Sequence, residues 1–276
     1  MAIWVREANA ASMSELRVHR VPQRVRASVD GATIVDTTSA VLVWEPRRVV
    51  ASYAVPVSDL AASLEPPSSH EAHEHAVRMD AGMPPVLDPS SGFGVHTTAG
   101  SAYDVRTASR SLPGAAFAPD DPALRDHVVL DWAAFDAWFE EDEEMVGHPH
   151  DPFSRIDCLR SSRHVVISVD GQVLADSRRP VMLLETWLPV RYYLPWEDVS
   201  QDLLTPTETT SVCAYKGTAA YWSATTEAKT HRNIAWSYAE PRHDALPVRD
   251  LVAFFDERVD RVVDGVPLDR PVTPWS

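Results

Sequence analysis

Apolar and polar residues alternate through two similar stretches of the chain, and each stretch contains an Asp-Gly pair. Ser28-Val-Asp-Gly31 lies between β-prone residues in the first stretch, and Ser168-Val-Asp-Gly171 does so in the second. Alternation is typical of half-buried strands, and Asp-Gly between two such runs is the strongest short-range signal for a tight turn. Each stretch is therefore predicted to open with a β-hairpin.

The two hairpins are part of a longer internal repeat. Residues 24–60 align almost without gaps with residues 163–199, so that Glu45 corresponds to Glu185. Because the offset is close to half the length of the chain, the repeat indicates duplication of a whole domain. We predict two tandem domains.

The boundary between the predicted domains is placed at a short polar segment. His148-Pro-His-Asp-Pro-Phe153 contains two prolines and is predicted to be a linker. Residues 1–147 then form the first domain and residues 148–276 the second. The first domain also carries a Pro-, Ser- and His-rich insertion at about residues 66–91.

Both domains are predicted to be mainly β with short helices. Further strand-like runs in the second domain are Ser211–Tyr215, Thr218–Ala224 and Asn233–Tyr238. The clearest helix is predicted in the segment DWAAFDAWFEEDEEM, which begins at Asp131. Its aromatic residues have helical spacing, and the acidic run Glu140–Glu144 is expected to be a solvated helix end.

Charge and cysteine content restrict the class of partner and the compartment. The formal net charge is −15, which argues against sequence-independent binding to nucleic acid or to an anionic membrane. No apolar run approaches the length of a membrane span, and the first residues do not resemble a signal peptide. Two cysteines, Cys158 and Cys213, suit a reducing compartment without a disulfide. We expect a soluble cytoplasmic protein of unknown oligomeric state.

Lys216 stands out as the candidate for chemistry. It is one of only two lysines, since the 25 basic residues are otherwise arginine. The pKa of a lysine ammonium falls on burial, and the neutral amine that then forms can act as a nucleophile. A guanidinium cannot do this. Cys213 and Tyr215 precede it closely, so these three residues are the candidate catalytic group.

Strand geometry restricts that interpretation. In a regular strand from Ser211 to Lys216, Cys213 and Tyr215 would face one side and Lys216 the other. A bend at Gly217 would bring Lys216 to the side of Cys213 and Tyr215, because a glycine in a strand often marks a bend that redirects its neighbour. A buried structural role for Cys213 and a salt-bridged role for Lys216 stay open.

Aromatic residues are concentrated around this segment. Tyr and Trp combine an apolar ring with a polar group, which suits the wall of a ligand pocket. The candidate ligand-binding residues are Glu185, Arg191, Tyr192, Tyr193, Tyr221, Trp222, Trp236 and Tyr238. Core packing explains some of these rings equally well.

Established cofactor and metal motifs are missing from the sequence. The cluster His70-Glu-Ala-His-Glu-His75 lacks the spacing of a zinc-protease helix. The sequence contains no GxxxxGK[ST], GxGxxG or GxSxG motif and no Asp-x-Asp pair. We therefore predict no metal and no cofactor.

The second domain resembles the family known as domain of unknown function number 427, which is sometimes labelled a nucleotidyltransferase. The matching segments are the Val-Asp-Gly hairpin with Ala175-Asp-Ser-Arg178, Glu185–Pro195, Cys213–Trp222, Ala235-Trp-Ser-Tyr238 and Leu251–Val259. The resemblance implies a compact β-tent fold in tandem. The first domain resembles a diverged member, in which Gly94–Gly100 replaces the Cys-x-Tyr-Lys-Gly pattern. Relatives of this fold commonly hold zinc through paired cysteines, which this chain lacks. The resemblance implies no established reaction.

Three functions remain open from the sequence. The leading one is binding of an unknown small molecule in an aromatic-lined pocket near Lys216, with catalysis as an extension. The second is a non-catalytic ligand sensor, in which Lys216 only neutralises the ligand. The third is a protein-interaction module in which the first domain serves as a partner surface or a lid.

Overall fold

The computed structural model describes residues 2–68, 72–78 and 84–276. The chain divides into two compact units, and the division lies between Asp151 and Pro152, within the predicted linker. Both units consist mainly of strands with a few short helices, so the predicted fold class is confirmed. In the described ranges, no helix has the length and apolar character needed to cross a membrane.

The first unit begins with a helix and continues as strands. Its α-helix is α1 (Val5–Ala11), and its 3₁₀ helices are Ser12–Ser14, Val57–Asp59, Pro122–Leu124 and Trp132–Ala134. Its strands are β1 (Arg17–Arg20), β2 (Val25–Val29), β3 (Ala32–Thr37), β4 (Val41–Trp44), β5 (Ser52–Pro56), β6 (Ser63–Glu65), β7 (Ala76–Val77), β8 (Val86–Leu87), β9 (Gly100–Arg106), β10 (Ser111–Pro119), β11 (His127–Leu130), β12 (Ala137–Glu140) and β13 (Glu143–Met145).

The second unit has a similar content. Its strands are β14 (Ile156–Arg160), β15 (Val165–Val169), β16 (Gln172–Ser177), β17 (Val181–Glu185), β18 (Arg191–Tyr193), β19 (Leu204–Cys213), β20 (Gly217–Thr225), β21 (Thr230–Ser237), β22 (Val252–Phe254), β23 (Asp260–Val263) and β24 (Val266–Leu268). Its 3₁₀ helices are Trp196–Asp198, Gln201–Leu203 and His243–Val248.

Both predicted hairpins are present. Strands β2 and β3 pair through a turn at Asp30 (φ 50°) and Gly31 (φ 77°), and β15 pairs with β16 through Asp170 (φ 50°) and Gly171 (φ 79°). Two consecutive residues with positive φ match the right-handed twist of the flanking strands. The Asp-Gly signal was therefore sufficient to place both turns.

The strand order follows the same path in both units. The first unit has a seven-stranded sheet, β1-β4-β5-β11-β10-β9-β6, and a four-stranded sheet, β13-β12-β2-β3. The second unit has the sheets β14-β17-β18, β22-β21-β20-β19 and β24-β23-β15-β16. An isolated bridge between Leu194 and Val252 connects β18 to β22, which completes the correspondence with the first unit.

The predicted helix beginning at Asp131 is wrong. The Asp131 side chain accepts a hydrogen bond from the Ala133 backbone N–H at 3.0 Å and begins only the short 3₁₀ helix. The chain then forms β12, which pairs with β2. Aromatic residues fit a half-buried pleated surface well, and this pairing outweighs the helical spacing. Trp138 is buried and stacks on Trp132 with the ring centroids 5.2 Å apart.

The acidic run is a hairpin turn and not a helix end. Strands β12 and β13 pair on either side of it, and Glu141 adopts φ 50°. Glu140 at the end of β12 accepts hydrogen bonds from the phenol of Tyr53 and, at 2.8 Å, from the amide of Gln23. The first carboxylate of the run is therefore held by the fold, while its neighbours face solvent.

Successive residues in the second unit alternate between two hydrophobic clusters. Tyr192 and Leu194 belong to a cluster with β15, and Tyr193 between them belongs to a second cluster with Leu183 and Trp236. This is the alternation expected of a strand whose two faces are both covered. The second cluster surrounds Lys216, which makes it the part of the fold that positions the candidate site.

Candidate functional site

A tight turn places Lys216 in the second unit. Strand β19 ends at Cys213, which pairs with Gly217 at the start of β20. The strand predicted over Ser211–Tyr215 therefore ends at Cys213, and because Lys216 lies in the turn, strand alternation does not apply to it. Gly217 bends the chain with φ 91°, and a Cβ there would lie 3.2 Å from the carbonyl oxygen of Glu240. Only glycine meets both conditions without strain.

Lys216 is buried and paired. Lys216 is only 8% exposed, and its ammonium donates a hydrogen bond to the carboxylate of Glu185 at the end of β17. Burial alone would lower the pKa of the ammonium, but the negative charge of Glu185 outweighs burial and raises the pKa above its usual value. Lys216 therefore stays protonated, which is the state of a hydrogen-bond donor and not of a nucleophile.

Two buried phenols lie beside this ion pair. The indole N–H of Trp236 donates to the hydroxyl of Tyr193 at 3.0 Å, and the two rings meet edge to face with centroids 6.1 Å apart. The ring of Tyr238 lies 6.5 Å from that of Tyr193. Burial raises the pKa of both phenols, so Tyr193 and Tyr238 keep their protons at neutral pH.

Both cysteines lie near the same ammonium. Cys213 interacts electrostatically with Lys216 and with Tyr238. Cys158 on β14 also interacts with Lys216, and its thiol approaches the carbonyl oxygen of Asp244 at 3.8 Å. Burial raises the pKa of the Cys158 thiol. Both cysteines are reduced. The sequence did not assign Cys158 to the site, because β14 is remote from the Cys213–Trp222 segment.

Tyr221 and Tyr215 are less deeply buried. The Tyr221 hydroxyl lies 2.7 Å from that of Ser211, and its ring is nearly parallel to Phe255 with the centroids 6.3 Å apart. Tyr215 lies in the turn before Lys216 and is partly exposed. Ser211 and Phe255 were not predicted as site residues.

Arg191 belongs to a buried ion network that borders the Lys216 site, because its guanidinium lies 5.6 Å from the ring centroid of Trp236. Its guanidinium donates to both carboxylate oxygens of Glu257 and lies 3.1 Å from Asp256. Arg261 also pairs with Asp256, and the hydroxyl of Thr273 donates to Glu257 at 2.5 Å. Two carboxylates therefore already balance the guanidinium that the sequence assigned to ligand binding.

Two of the predicted ligand-binding rings lie in the other cluster. Tyr192 faces β15, and the guanidinium of Arg261 lies 5.7 Å from its ring centroid. Trp222 packs edge to face on Trp196 with the centroids 4.9 Å apart. The structure brings Glu185, Tyr193, Trp236 and Tyr238 to Lys216, whereas Tyr192 and Trp222 support the core on the opposite side.

The corresponding place in the first unit is filled by its own chain. Glu45 accepts hydrogen bonds from Nδ1 of His96 at 3.0 Å and from the backbone N–H of Thr97 at 2.7 Å. The imidazole of His96 stacks on Phe117 with the centroids 3.6 Å apart and the planes 7° apart. A carboxylate thus lies at the end of β17 in the second unit and directly after β4 in the first, but its partner changes from imidazole to ammonium.

The histidine cluster lies only partly within the described residues. His70 lies outside the described residues. His75 interacts through Nδ1 with Asp88 at 3.2 Å. The described residues contain no group of three or more His, Cys, Asp or Glu side chains arranged to hold a metal ion.

Comparison with protein families gives one finding for the second unit. Residues 157–265 match the family described as domain of unknown function (DUF427). This match supports the resemblance that the sequence of the second domain carries. The comparison with curated proteins gave no match.

Proposed function

We propose that the second unit binds a small organic molecule beside Lys216. The observation that carries this proposal is the buried Lys216–Glu185 ion pair with the phenols of Tyr193 and Tyr238 next to it. Ion pairs are costly to bury, and clusters of ionisable groups in aromatic surroundings are more frequent at binding sites than elsewhere.

The roles of the site residues follow from their contacts. Lys216 supplies hydrogen-bond donors, and Glu185 holds the ammonium in place and balances its charge. Tyr193 is fixed by Trp236 and adds a neutral donor. Tyr221, which is only partly buried, forms the side of the site nearest to solvent.

The raised pKa of Lys216 favours the non-catalytic form of the proposal. A nucleophilic lysine needs a lowered pKa so that the neutral amine is present at neutral pH. The pairing with Glu185 has the opposite effect. In this form the protein senses or carries the ligand, and Lys216 serves as a hydrogen-bond donor and not as a nucleophile.

The two lysines of the chain provide a matched test. Lys216→Ala removes the buried ammonium, whereas Lys229→Ala removes an exposed one from the loop after β20. A library of small aromatic amides, acids and amines is screened against the full chain by thermal shift. We expect hits with the wild type and with Lys229→Ala that are lost with Lys216→Ala.

Hits that stay equally strong in Lys216→Ala would refute the site. Native mass spectrometry of the purified wild type adds a second readout. A molecule retained by the wild type and by Lys229→Ala, and absent from Lys216→Ala, supports the same conclusion without the library.

We further propose that the two units are tandem copies of one domain and that the first has diverged. The shared strand order and the two carboxylates Glu45 and Glu185 at matching positions support this.

A further inference from the structure

The charge balance at Lys216 limits which ligands fit. The ammonium pairs with Glu185, and the two side chains are only 10% and 15% exposed. An anionic ligand would have to share the ammonium with Glu185 or displace it. Sharing places two negative charges close together in a region of low dielectric, and displacement leaves a buried carboxylate without its partner.

Hydrogen-bonding capacity points in the same direction. An ammonium has three N–H donors, and Glu185 accepts from one of them. Tyr193 accepts from Trp236, and that bond leaves the proton of its own hydroxyl unused. The free N–H donors of Lys216 and the hydroxyl of Tyr193 therefore suit a ligand that accepts hydrogen bonds and carries no charge.

The aromatic neighbours define the body of the ligand. Tyr221 is half-buried and nearly parallel to Phe255, and Trp236 lies 4.6 Å from Phe255 by ring centroids. Flat apolar groups pack well against such rings. A small aromatic molecule with one polar substituent therefore suits this part of the unit.

We propose that the ligand of this site is a neutral aromatic molecule whose carbonyl oxygen, as in an amide, accepts a hydrogen bond from Lys216 while Glu185 stays in place. This inference rests on the proposed function and specifies its ligand class. Acids of the same shape are disfavoured by Glu185, and amines are disfavoured by Lys216.

Three probes of equal size test the charge preference. Benzamide, benzoate and benzylamine are titrated into the full ¹⁵N-labelled chain, and the indole signal of Trp236 is followed by NMR after assignment with Trp236→Phe. We expect benzamide to bind the wild type about tenfold more tightly than either charged probe. Lys229→Ala is expected to give the same preference.

Glu185→Gln sharpens the test, because it leaves the Lys216 ammonium without its balancing charge. We expect benzoate to gain about tenfold in affinity for Glu185→Gln, with little change for benzamide. If that variant does not fold, the preference of the wild type decides alone.

The outcomes separate the two proposals. If benzoate binds the wild type as tightly as benzamide and this binding is lost in Lys216→Ala, the neutral-ligand inference is wrong. The proposed function would still stand. The absence of any shift at Trp236 with all three probes, together with no hit in the wider library, would overturn both.

Discussion

Lys216 and Glu185 form a buried ion pair between residues that are 31 positions apart in the sequence. Glu185 lies at the end of β17 and Lys216 lies in the turn between β19 and β20, so the pair connects the β19–β20 hairpin to β17. Because both side chains are almost fully buried, the stability of the hairpin depends on the presence of both partners.

Removing one partner is expected to destabilise the protein strongly. Lys216→Met leaves Glu185 buried without a counter-charge, and such a change costs about 3–5 kcal/mol in the free energy of unfolding. The double variant Lys216→Met with Glu185→Leu removes both charges and is expected to recover most of that loss. Urea unfolding of the full chain measures all three proteins.

Lys229→Met is the matched control, because Lys229 is exposed. It is expected to leave the unfolding midpoint almost unchanged. A double variant as unstable as Lys216→Met would contradict the coupling between Lys216 and Glu185.

The pKa of Lys216 predicts a dependence of stability on alkaline pH. The folded protein holds this proton more tightly than the unfolded chain, whose lysine has the ordinary value of 10.5. The stabilising contribution is therefore fully present below pH 10.5 and is lost as the pH rises through the higher pKa of the folded state.

Two measurements check this prediction. Biosynthetic labelling with ¹³C,¹⁵N-lysine gives one set of side-chain NMR signals for each of the two lysines, and the Lys216 signal is expected to titrate at higher pH than that of Lys229. The wild type is also expected to lose more stability above pH 10.5 than Lys216→Met does. Titration of Lys216 below its ordinary pKa would revive its assignment as a nucleophile.

The sequence predicted those features that depend on local backbone chemistry. Asp170 and Gly171 form their turn through their own backbone preferences and need no distant partner. Gly217 bends the chain in the same way, because glycine adopts a positive φ readily. The helix beginning at Asp131 failed for the opposite reason. Trp138 satisfies a helical spacing equally well, and only the pairing of β12 with β2 decides in favour of a strand.

The ion network was missed because its members are far apart in the sequence. Arg191 and Glu257 are separated by 66 positions, and no spacing rule connects them. Glu185 was included as a site candidate, but its pairing with Lys216 depends on the arrangement of β17 beside the β19–β20 turn. The residue types in the sequence indicated the site. Only the tertiary contacts show that Tyr193 lies in the hydrophobic cluster beside Lys216 and that its neighbour Tyr192 lies in the other cluster.

The Arg191 network is predicted to be structural. Glu257→Gln removes the charge that Arg191 and Thr273 contact, and we expect a loss of about 3–5 kcal/mol in the free energy of unfolding. Asp260→Asn serves as the control, because Asp260 pairs with Arg270 at an exposed position. Equal urea midpoints for the two variants would refute the structural role.

The hairpin turn at Asp170 is predicted to respond to acid. His231 and Thr226 both bond to the Asp170 carboxylate, at 2.6 Å and 3.0 Å, and the bond from His231 contributes most to lowering its pKa. A carboxylate with a lowered pKa stabilises the fold above the pKa of the unfolded chain, and this contribution is lost as the pH falls through the folded value.

Carboxyl ¹³C NMR measures the effect directly. The Asp170 signal is expected to titrate below the ordinary value of 3.8 in the wild type and to move towards that value in His231→Ala. His243→Ala is the control, since His243 is exposed and pairs with Asp244. An Asp170 pKa unaffected by His231→Ala would show that Thr226 and the turn set it without the histidine.

His96 in the first unit is predicted to act as a packing residue that fills the place that Lys216 occupies in the second. Its imidazole covers Phe117 and donates through Nδ1 to Glu45, while Nε2 is buried without a hydrogen-bond partner in the described part of the chain. His96→Ala removes both the stacked ring and one bond to a buried carboxylate. We expect a loss of about 1–3 kcal/mol in the free energy of unfolding.

His96→Phe separates the two contributions. It keeps a ring against Phe117 and loses only the bond to Glu45, which still accepts from the Thr97 backbone N–H. We therefore expect a smaller loss than for His96→Ala, and His127→Ala, at a partly exposed position at the start of β11, serves as the control for removing a histidine. If His96→Ala were as stable as His127→Ala in urea, the ring would not be needed to fill the first unit, and that place would become a candidate for a second ligand site.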